Sequence, residues 1–278
     1  MKSGFCLAAL SLSGEWRSLA SWWLVLPTVV GFSLISSAGY IFNDVRNAEE
    51  DRHHPRKRKR PVAAGAISER EAYLGFVLFA LAGLGILAAS YPATVGLNRV
   101  LVAGLLYFGV TLSYSSYFRK VAYLDVLVLG LGFVLRVAAG AFAIDLDPTW
   151  WLLGLTYALA LLLGFGKRLG ETQLAEKKQM TLGETRSSLI RYPAATLRNL
   201  VTLSGFGVMA SYLAYCLLER SENPVFLLTL APVVTGIFSY LRMAWRTDEV
   251  EVPERLFFSS RVLLGSVLLW LSMVMLIA

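Results

Sequence analysis

Residues 19–65 read LASWWLVLPTVVGFSLISSAGYIFNDVRNAEEDRHHPRKRKRPVAAG. The run at 19–42 carries no charged residue and exceeds the roughly 20 residues that cross a hydrocarbon core. At Asn43 it gives way to an intensely charged stretch. Acidic groups come first (Asp44, Glu49, Glu50, Asp51), and cations follow (Arg56, Lys57, Arg58, Lys59, Arg60). If the helix of the apolar run continues to Asp51, then Asp44, Asn47 and Asp51 fall at i, i+3 and i+7 on one face. Oxygen ligands so placed suit Mg2+, which takes a few carboxylates plus the oxygens of a phosphate. The cations downstream suit the rest of a phosphorylated substrate. A charge cluster that merely fixes topology and meets anionic headgroups accounts for Arg56 to Arg60. It does not account for acids placed first and in helical register, where they weaken any lipid attraction. His53 and His54 are adjacent, so their side chains diverge on a helix, and they read as a solvated loop pair.

Outward from this stretch the whole chain is apolar. Of 278 residues 56% are hydrophobic and only 16% charged, with a mean hydropathy of +0.59, against roughly a quarter charged in soluble domains. This is the composition of an integral membrane protein. Near-spanning apolar stretches fall at 19–42, 72–90, 99–117, 121–143, 150–166, 196–217, 224–241 and 256–277, which predicts eight spans. Phe5 to Leu12 is too short to span and reads as a clipped first helix or re-entrant stub; a signal peptide would need a longer core and a small-residue cleavage pattern. The segments at 43–71, 118–120, 167–195 and 242–255 hold most of the 26 Lys and Arg, and the alternate segments hold only Arg17, Arg99 and Arg220. By the positive-inside rule the basic loops are expected in the cytoplasm. The net charge of +7 is then a topology signal, and without a basic-aromatic module or zinc spacing no nucleic-acid partner is expected. Cys6 and Cys216 stand alone in apolar surroundings and read as packing residues.

Three further places carry charge of interest. Loop two, SYSSYFRKVAYLD at 113–125, sets Tyr114, Arg119, Lys120 and Asp125 near the membrane face. The helix that Asp125 opens also carries Arg136, about three turns on, near the bilayer midplane. An ionisable group at that depth is a functional-site hypothesis by default; the other reading is a structural partner for a buried carbonyl or carboxylate. Loop three, GFGKRLGETQLAEKKQMTLGETRSSLIRY at 164–192, brings Lys167, Arg168 and Glu171 to the end of a membrane helix. There the cations either complement the helix dipole or bind phosphate in the same cytoplasmic cavity as loop one. Glu176, Lys177, Lys178 and Glu184 look like a solvated face. Loop four, with Asp248, Glu249, Glu251, Pro253, Glu254 and Arg255, points to no particular chemistry.

The first of these segments resembles the signature of the UbiA superfamily of intramembrane prenyltransferases, NDxxDxxxD followed by an RP pair. Asn43, Asp44, Asn47, Asp51, Arg60 and Pro61 occupy those places, with Asn47 where the family has its middle Asp. An Asn carbonyl still ligates Mg2+ or orients a water but supplies no charge. Within the superfamily the likeness runs to the decaprenyl-phosphate phosphoribosyltransferases, through NDVRxxExDRxHPxKRxRPxAAG at 43–65, GFVLRVAAGAFA at 132–143, GKRxxE at 166–171 and VPERLFFSSRVL at 252–263. Prenyltransferase members usually carry DxxxD in loop three, where this chain has Lys167, Arg168 and Glu171. Replacing acids by cations suits a donor with an extra 5-phosphate.

The resemblance implies an all-α, polytopic transmembrane bundle in one domain over residues 1–278, with eight full spans plus the short N-terminal stub against a family pattern of nine, around a central cavity open to the cytoplasm. It implies transfer of a 5-phosphoribosyl group from phosphoribosyl diphosphate to a polyprenyl phosphate in the cell membrane, feeding envelope polysaccharide assembly. Mg2+ would be the cofactor, held by Asp44, Asn47 and Asp51, with Asp44 and Asp51 as the catalytic pair. Asn43, Lys57, Arg58, Arg60, Tyr114, Arg119, Lys120, Arg136, Lys167, Arg168 and Glu171 would bind substrate and phosphate. Oligomeric state is left open, a homo-oligomer included. The alternative within the fold is transfer of a prenyl group from a prenyl diphosphate to an aromatic or lipid acceptor, which a DxxxD pair in loop three would favour. A transporter would show inverted repeats with broken helices, and no such repeat is visible.

Overall fold

Lipid offers no hydrogen bonds to a backbone, so a spanning segment must satisfy its own amides and carbonyls. The computed structural model describes residues 2–53, 57–91, 98–177, 191–246 and 259–277, and among them there are helices and no strands. The helices are α1 (Ala8–Leu12), α2 (Leu19–Arg46), α3 (Ala48–His53), α4 (Glu69–Ser90), α5 (Arg99–Ser116), α6 (Leu124–Ala143), α7 (Trp150–Lys177), α8 (Ala194–Leu218), α9 (Leu230–Arg246) and α10 (Arg261–Ile277). Side chains close several helix starts, where the first amides have no intrahelical partner. Ser18 caps Ser21 N–H, Asn98 caps Leu101 N–H, and Ser68 and Glu71 form a reciprocal capping box at α4.

Six helices are long and apolar enough to cross a membrane: α2, α4, α6, α7, α8 and the segment Pro224–Arg246 that ends in α9. The protein is a multi-pass membrane protein. The other two expected spans are α5, of 18 residues, and α10, of 17, both shorter than those six. Residues such as Trp23, Leu74, Leu78, Leu203 and Leu268 stand exposed on the helices, as lipid-facing side chains do. Helix α2 continues past the apolar run to Arg46, so Asp44 lies in its last turn. One boundary differs from the sequence expectation. Helix α7 continues past residue 166 to Lys177, which places Lys167, Arg168 and Glu171 inside the helix rather than at its carbonyl end; of the two readings of those cations, the dipole role is therefore lost.

The chain divides into two compact units, Met1–Pro148 and Thr149–Ala278. In the first, Phe32 and Ile35 of α2, Leu87 of α4, Tyr107 of α5 and Ala139 of α6 form a core that also takes Cys6 and Leu10 of the N-terminal stub. The stub is a short helical segment, a 3-10 turn at Lys2–Leu7 followed by α1, and Phe5 packs edge-on to Phe133 with centroids 4.9 Å apart. In the second unit, Leu162 and Leu169 of α7, Leu197 and Val201 of α8 and Leu241 of α9 are buried. A polar chain fastens the opposite ends: Trp270 Nε1 donates to Tyr212 Oη at 2.7 Å, and that hydroxyl lies 2.8 Å from Thr229 Oγ1. Cys216 is buried and free, like Cys6.

Between apolar helices in lipid, close backbone approach supplies much of the attraction, and small residues permit it. Helices α2 and α4 meet at Gly31 and Gly83: a Cβ on Gly83 would lie 2.8 Å from both the Gly31 carbonyl oxygen and Ile35 Cγ1. Two residues on, about half a turn round the helix, the situation reverses, since a Cβ on Gly85 would meet nothing within 4 Å. Gly83→Ala is expected to cost about 1–3 kcal/mol by overpacking, while Gly85→Ala gains up to about 1 kcal/mol of helix propensity. Thermal unfolding in detergent should move in opposite directions for the two variants; equal shifts would refute the backbone contact.

Candidate active site

The acids of loop one are set by a helix that breaks and resumes. Helix α2 ends at Arg46, Asn47 leaves helical geometry at φ −109° and ψ 12°, and α3 begins at Ala48. The expected uninterrupted helix is thus corrected to a helix with a break at Asn47. Main-chain bonds bracket the break, Asn47 N–H to the Asn43 carbonyl at 3.1 Å and Asp51 N–H to the Asn47 carbonyl at 2.8 Å, so the one-face register nearly survives. The Asn47 amide nitrogen donates to Asn43 Oδ1 at 3.1 Å and to the Asn43 carbonyl. That nitrogen is committed to holding the break, which leaves only Oδ1 of Asn47 as a ligand atom.

The basic half returns to the acids through a tight turn. The Ala64 amide bonds the Arg60 carbonyl, the Ala66 amide bonds the Pro61 carbonyl, and Gly65 closes the turn at φ +73°, a conformation that a side chain would strain. Val62 is buried against Val45, Ala48 and Ala72, with Ile41 alongside. This small apolar seat was missed by the charge-based reading; the isolated apolar residues inside 43–65 were its only signal. It delivers Arg60 to the carboxylates. Arg60 Nη1 donates to Asp44 Oδ1 at 2.8 Å and to Asp51 Oδ2 at 2.9 Å. The Asp51 side chain is only 2% exposed, whereas Arg60 is 35% exposed. Lys57 is half-buried, and Arg58 and Lys59 point to solvent.

Loop two closes on loop one. Arg119 donates to Asn43 Oδ1 at 3.3 Å, Lys120 pairs with Glu50 at 3.3 Å, and Arg46 reaches the Ser116 carbonyl at 3.4 Å. Tyr114 is half-buried in the last turn of α5, Asp125 is fully buried, and Tyr123 between them holds a positive φ of 68°, a strained backbone for a bulky residue. The structure therefore brings Asn43, Asp44, Asn47, Asp51, Arg60, Arg119 and Lys120 together. Arg136 is elsewhere in the same unit. It is buried, its Nη1 donates to the Gly132 carbonyl at 3.1 Å, and its Nη2 donates to Ser36 Oγ at 3.0 Å and Tyr107 Oη at 2.5 Å. Its guanidinium lies 4.3 Å from the Tyr107 ring centroid, among neutral groups. Among the described residues it forms no ion pair.

Loop three belongs to the second unit. Arg168 is 2% exposed and its Nη1 donates to Glu171 Oε2 at 2.8 Å, one helical turn on. Lys167 is exposed. The Gln173 side chain donates to the Ala244 carbonyl at 3.1 Å, tying this part of α7 to α9. Arg56, His54, Lys178, Glu184 and the loop-four residues 248–255 lie outside the described residues, as does the side chain of His53.

The donor set fits a hard cation. Among the described residues no three His, Cys, Asp or Glu side chains gather as a complete metal cage. Two carboxylates do converge on one cationic nitrogen, and Mg2+ commonly takes one or two carboxylates and completes its shell from phosphate and water. A sequence model of the UbiA prenyltransferase family matches residues 4–262. The chain belongs to the UbiA prenyltransferase family. It is 32% identical over 241 residues to a decaprenyl-phosphate phosphoribosyltransferase from Mycolicibacterium smegmatis, covering 81% of this chain and 73% of that one. To the protein of the same name from Corynebacterium glutamicum it is 30% identical over 246 residues, covering 87% and 71%. The structure of a UbiA homolog from Archaeoglobus fulgidus bound to Cd2+ superposes with a TM-score of 0.64 at 16% identity, over 99% of this chain and 96% of that one. The fold of this UbiA family member is thus shared across nearly its full length.

The Arg168–Glu171 pair can be weighed directly. Removing one partner of a largely buried pair strands the other charge, at about 3–5 kcal/mol. Glu171→Gln should therefore melt well below wild type, and Arg168→Met with Glu171→Gln should recover part of the loss. A double variant less stable than Glu171→Gln would show that Arg168 is held by other contacts.

Proposed function

We propose that this UbiA family protein transfers a 5-phosphoribosyl group from phosphoribosyl diphosphate to a polyprenyl phosphate. The observation that carries the reading is a pair of carboxylates converging on one cation at the end of a membrane helix, in a chain whose relatives bear the name decaprenyl-phosphate phosphoribosyltransferase. The two cations Lys167 and Arg168, followed by Glu171, in place of a DxxxD pair favour this donor over a prenyl diphosphate. The reading includes a single catalytic domain over residues 1–278, loops one to three on the cytoplasmic face of the cell membrane, and Mg2+ as cofactor.

Asp44 and Asp51 would hold Mg2+, with Asn47 Oδ1 the third ligand atom in reach of the same helix break. When bound, Mg2+ supplies Lewis-acid neutralisation of the departing diphosphate. Arg60, Lys57 and Arg58 grip the diphosphate oxygens, and Arg119 and Lys120 stand at the loop-two side with Tyr114. The bond from ribose C1 to diphosphate oxygen breaks, C1 gains oxocarbenium character as in glycosyl transfer, and an oxygen of the polyprenyl phosphate forms the new bond to C1. A phosphate monoester has its second pKa near 6, so the nucleophile is an anion at neutral pH and needs no strong general base.

Radiolabelled phosphoribosyl diphosphate incubated with a polyprenyl phosphate in detergent should yield labelled lipid, and EDTA should stop it. Asp44→Ala and Asp51→Ala should lower turnover at least about 100-fold, the loss seen when an electrostatic stabiliser is removed, with the folded protein still extractable. Label entering lipid only from a prenyl diphosphate and an aromatic acceptor would establish the prenyltransferase reading instead.

A further inference from the structure

The bridging nitrogen of Arg60 lies where a cation shared by Asp44 and Asp51 would lie. A metal at about 2.1 Å from each oxygen needs the two oxygens closer together than a bridging N–H does, so guanidinium and metal exclude each other at this point. Asp51 is buried, and a buried carboxylate without a counterion is expensive. Arg60 meets that need in the free protein. Its exposed third and its place on the flank of the Pro61–Gly65 turn leave it a path outward. Once displaced, the guanidinium sits beside a divalent cation and needs an anion of its own, and a planar donor fork suits diphosphate oxygens.

We propose that Arg60 couples metal and donor binding: it is the resting counterion of Asp44 and Asp51, yields its place to Mg2+, and turns to the diphosphate that arrives with the metal. This rests on the assignment of Asp44 and Asp51 as metal-holding. The consequence is that metal alone binds weakly, because it must expel Arg60 and leave two cations face to face. Metal with diphosphate binds well, because each cation then has an anion. The site therefore becomes charged with metal when the diphosphate of the donor is present.

The test is Mn2+ binding by the full-length protein in detergent, followed by the loss of the free-ion EPR signal, with retention of radiolabelled inorganic diphosphate measured with and without Mn2+. Arg60→Gln should bind Mn2+ alone at least about tenfold more tightly than wild type, within the usual range of coupling between sites. The same variant should retain diphosphate in the presence of Mn2+ at least about tenfold more weakly. Arg60→Lys, which keeps a charge between the carboxylates, should hold Mn2+ alone as weakly as wild type, and it carries the test if Arg60→Gln fails to fold: tight Mn2+ binding by Arg60→Lys without diphosphate would overturn the coupling. Arg60→Gln binding Mn2+ no more tightly than wild type, while Asp44→Ala abolishes Mn2+ binding, would likewise overturn the coupling and leave the metal assignment standing. Mn2+ binding unchanged in Asp44→Ala and Asp51→Ala would remove the metal assignment itself.

Discussion

Two carboxylates placed within reach of one nitrogen repel each other unless a cation lies between them, and loop one is built around that requirement. Asp44 and Asp51 both bond Arg60 Nη1. Everything nearby serves to bring these three side chains from separate stretches of chain to one point. The break at Asn47 lets α3 turn while the register of the acids nearly survives. The seat formed by Val45, Ala48, Val62 and Ala72 returns the basic half of the loop, and Gly65 allows the turn to close. A handful of methyl groups and one glycine thus fix the shape of the described parts of this charged loop.

The membrane explains why so much depends on one loop. Along the spans, hydrogen bonds are spent within the helices, and polar side chains serve packing or capping, as at Ser18, Ser68 and Tyr212. Ionic chemistry is therefore driven to the helix ends, where water meets the bundle. Helix α2 runs four residues beyond its apolar stretch, so Asp44 is positioned by a rigid element that is anchored against α4 through Gly31 and Gly83. The precision of the carboxylates is inherited from helix packing far from them.

This division also marks what could be read from the sequence. Apolar length and charge asymmetry suffice for a helical membrane protein, and acids spaced along a helix suffice to single out Asp44 and Asp51. Arg60 as their shared partner was not legible, because nothing in the run of five cations marks it out; the turn at Pro61–Gly65 decides it. The extent of α7 was misjudged for a related reason. Hydropathy falls at Lys167, but helicity continues, supported by the Arg168–Glu171 pair, by Thr172 bonding the Arg168 carbonyl at 3.0 Å, and by Gln173 on Ala244. Hydropathy measures preference for lipid, and these contacts measure something else.

Arg136 and Arg60 show how the same side chain acquires different work. Arg136 is enclosed by hydroxyls, a carbonyl and aromatic faces from α2, α5 and α6, with Nε left without a partner among the described residues. Neutral oxygens in a low-dielectric setting hold a guanidinium through many oriented contacts, and moving it would leave Ser36 and Tyr107 to rearrange as well. That arrangement resists exchange and ties three helices together. Arg60 instead has two charged partners and a third of its surface in water, and the coupling proposed above, in which a metal takes the carboxylates and a phosphate the guanidinium, draws on that difference. Burial alone does not decide what an arginine does; the charge of its partners does, neutral at Arg136 and anionic at Arg60.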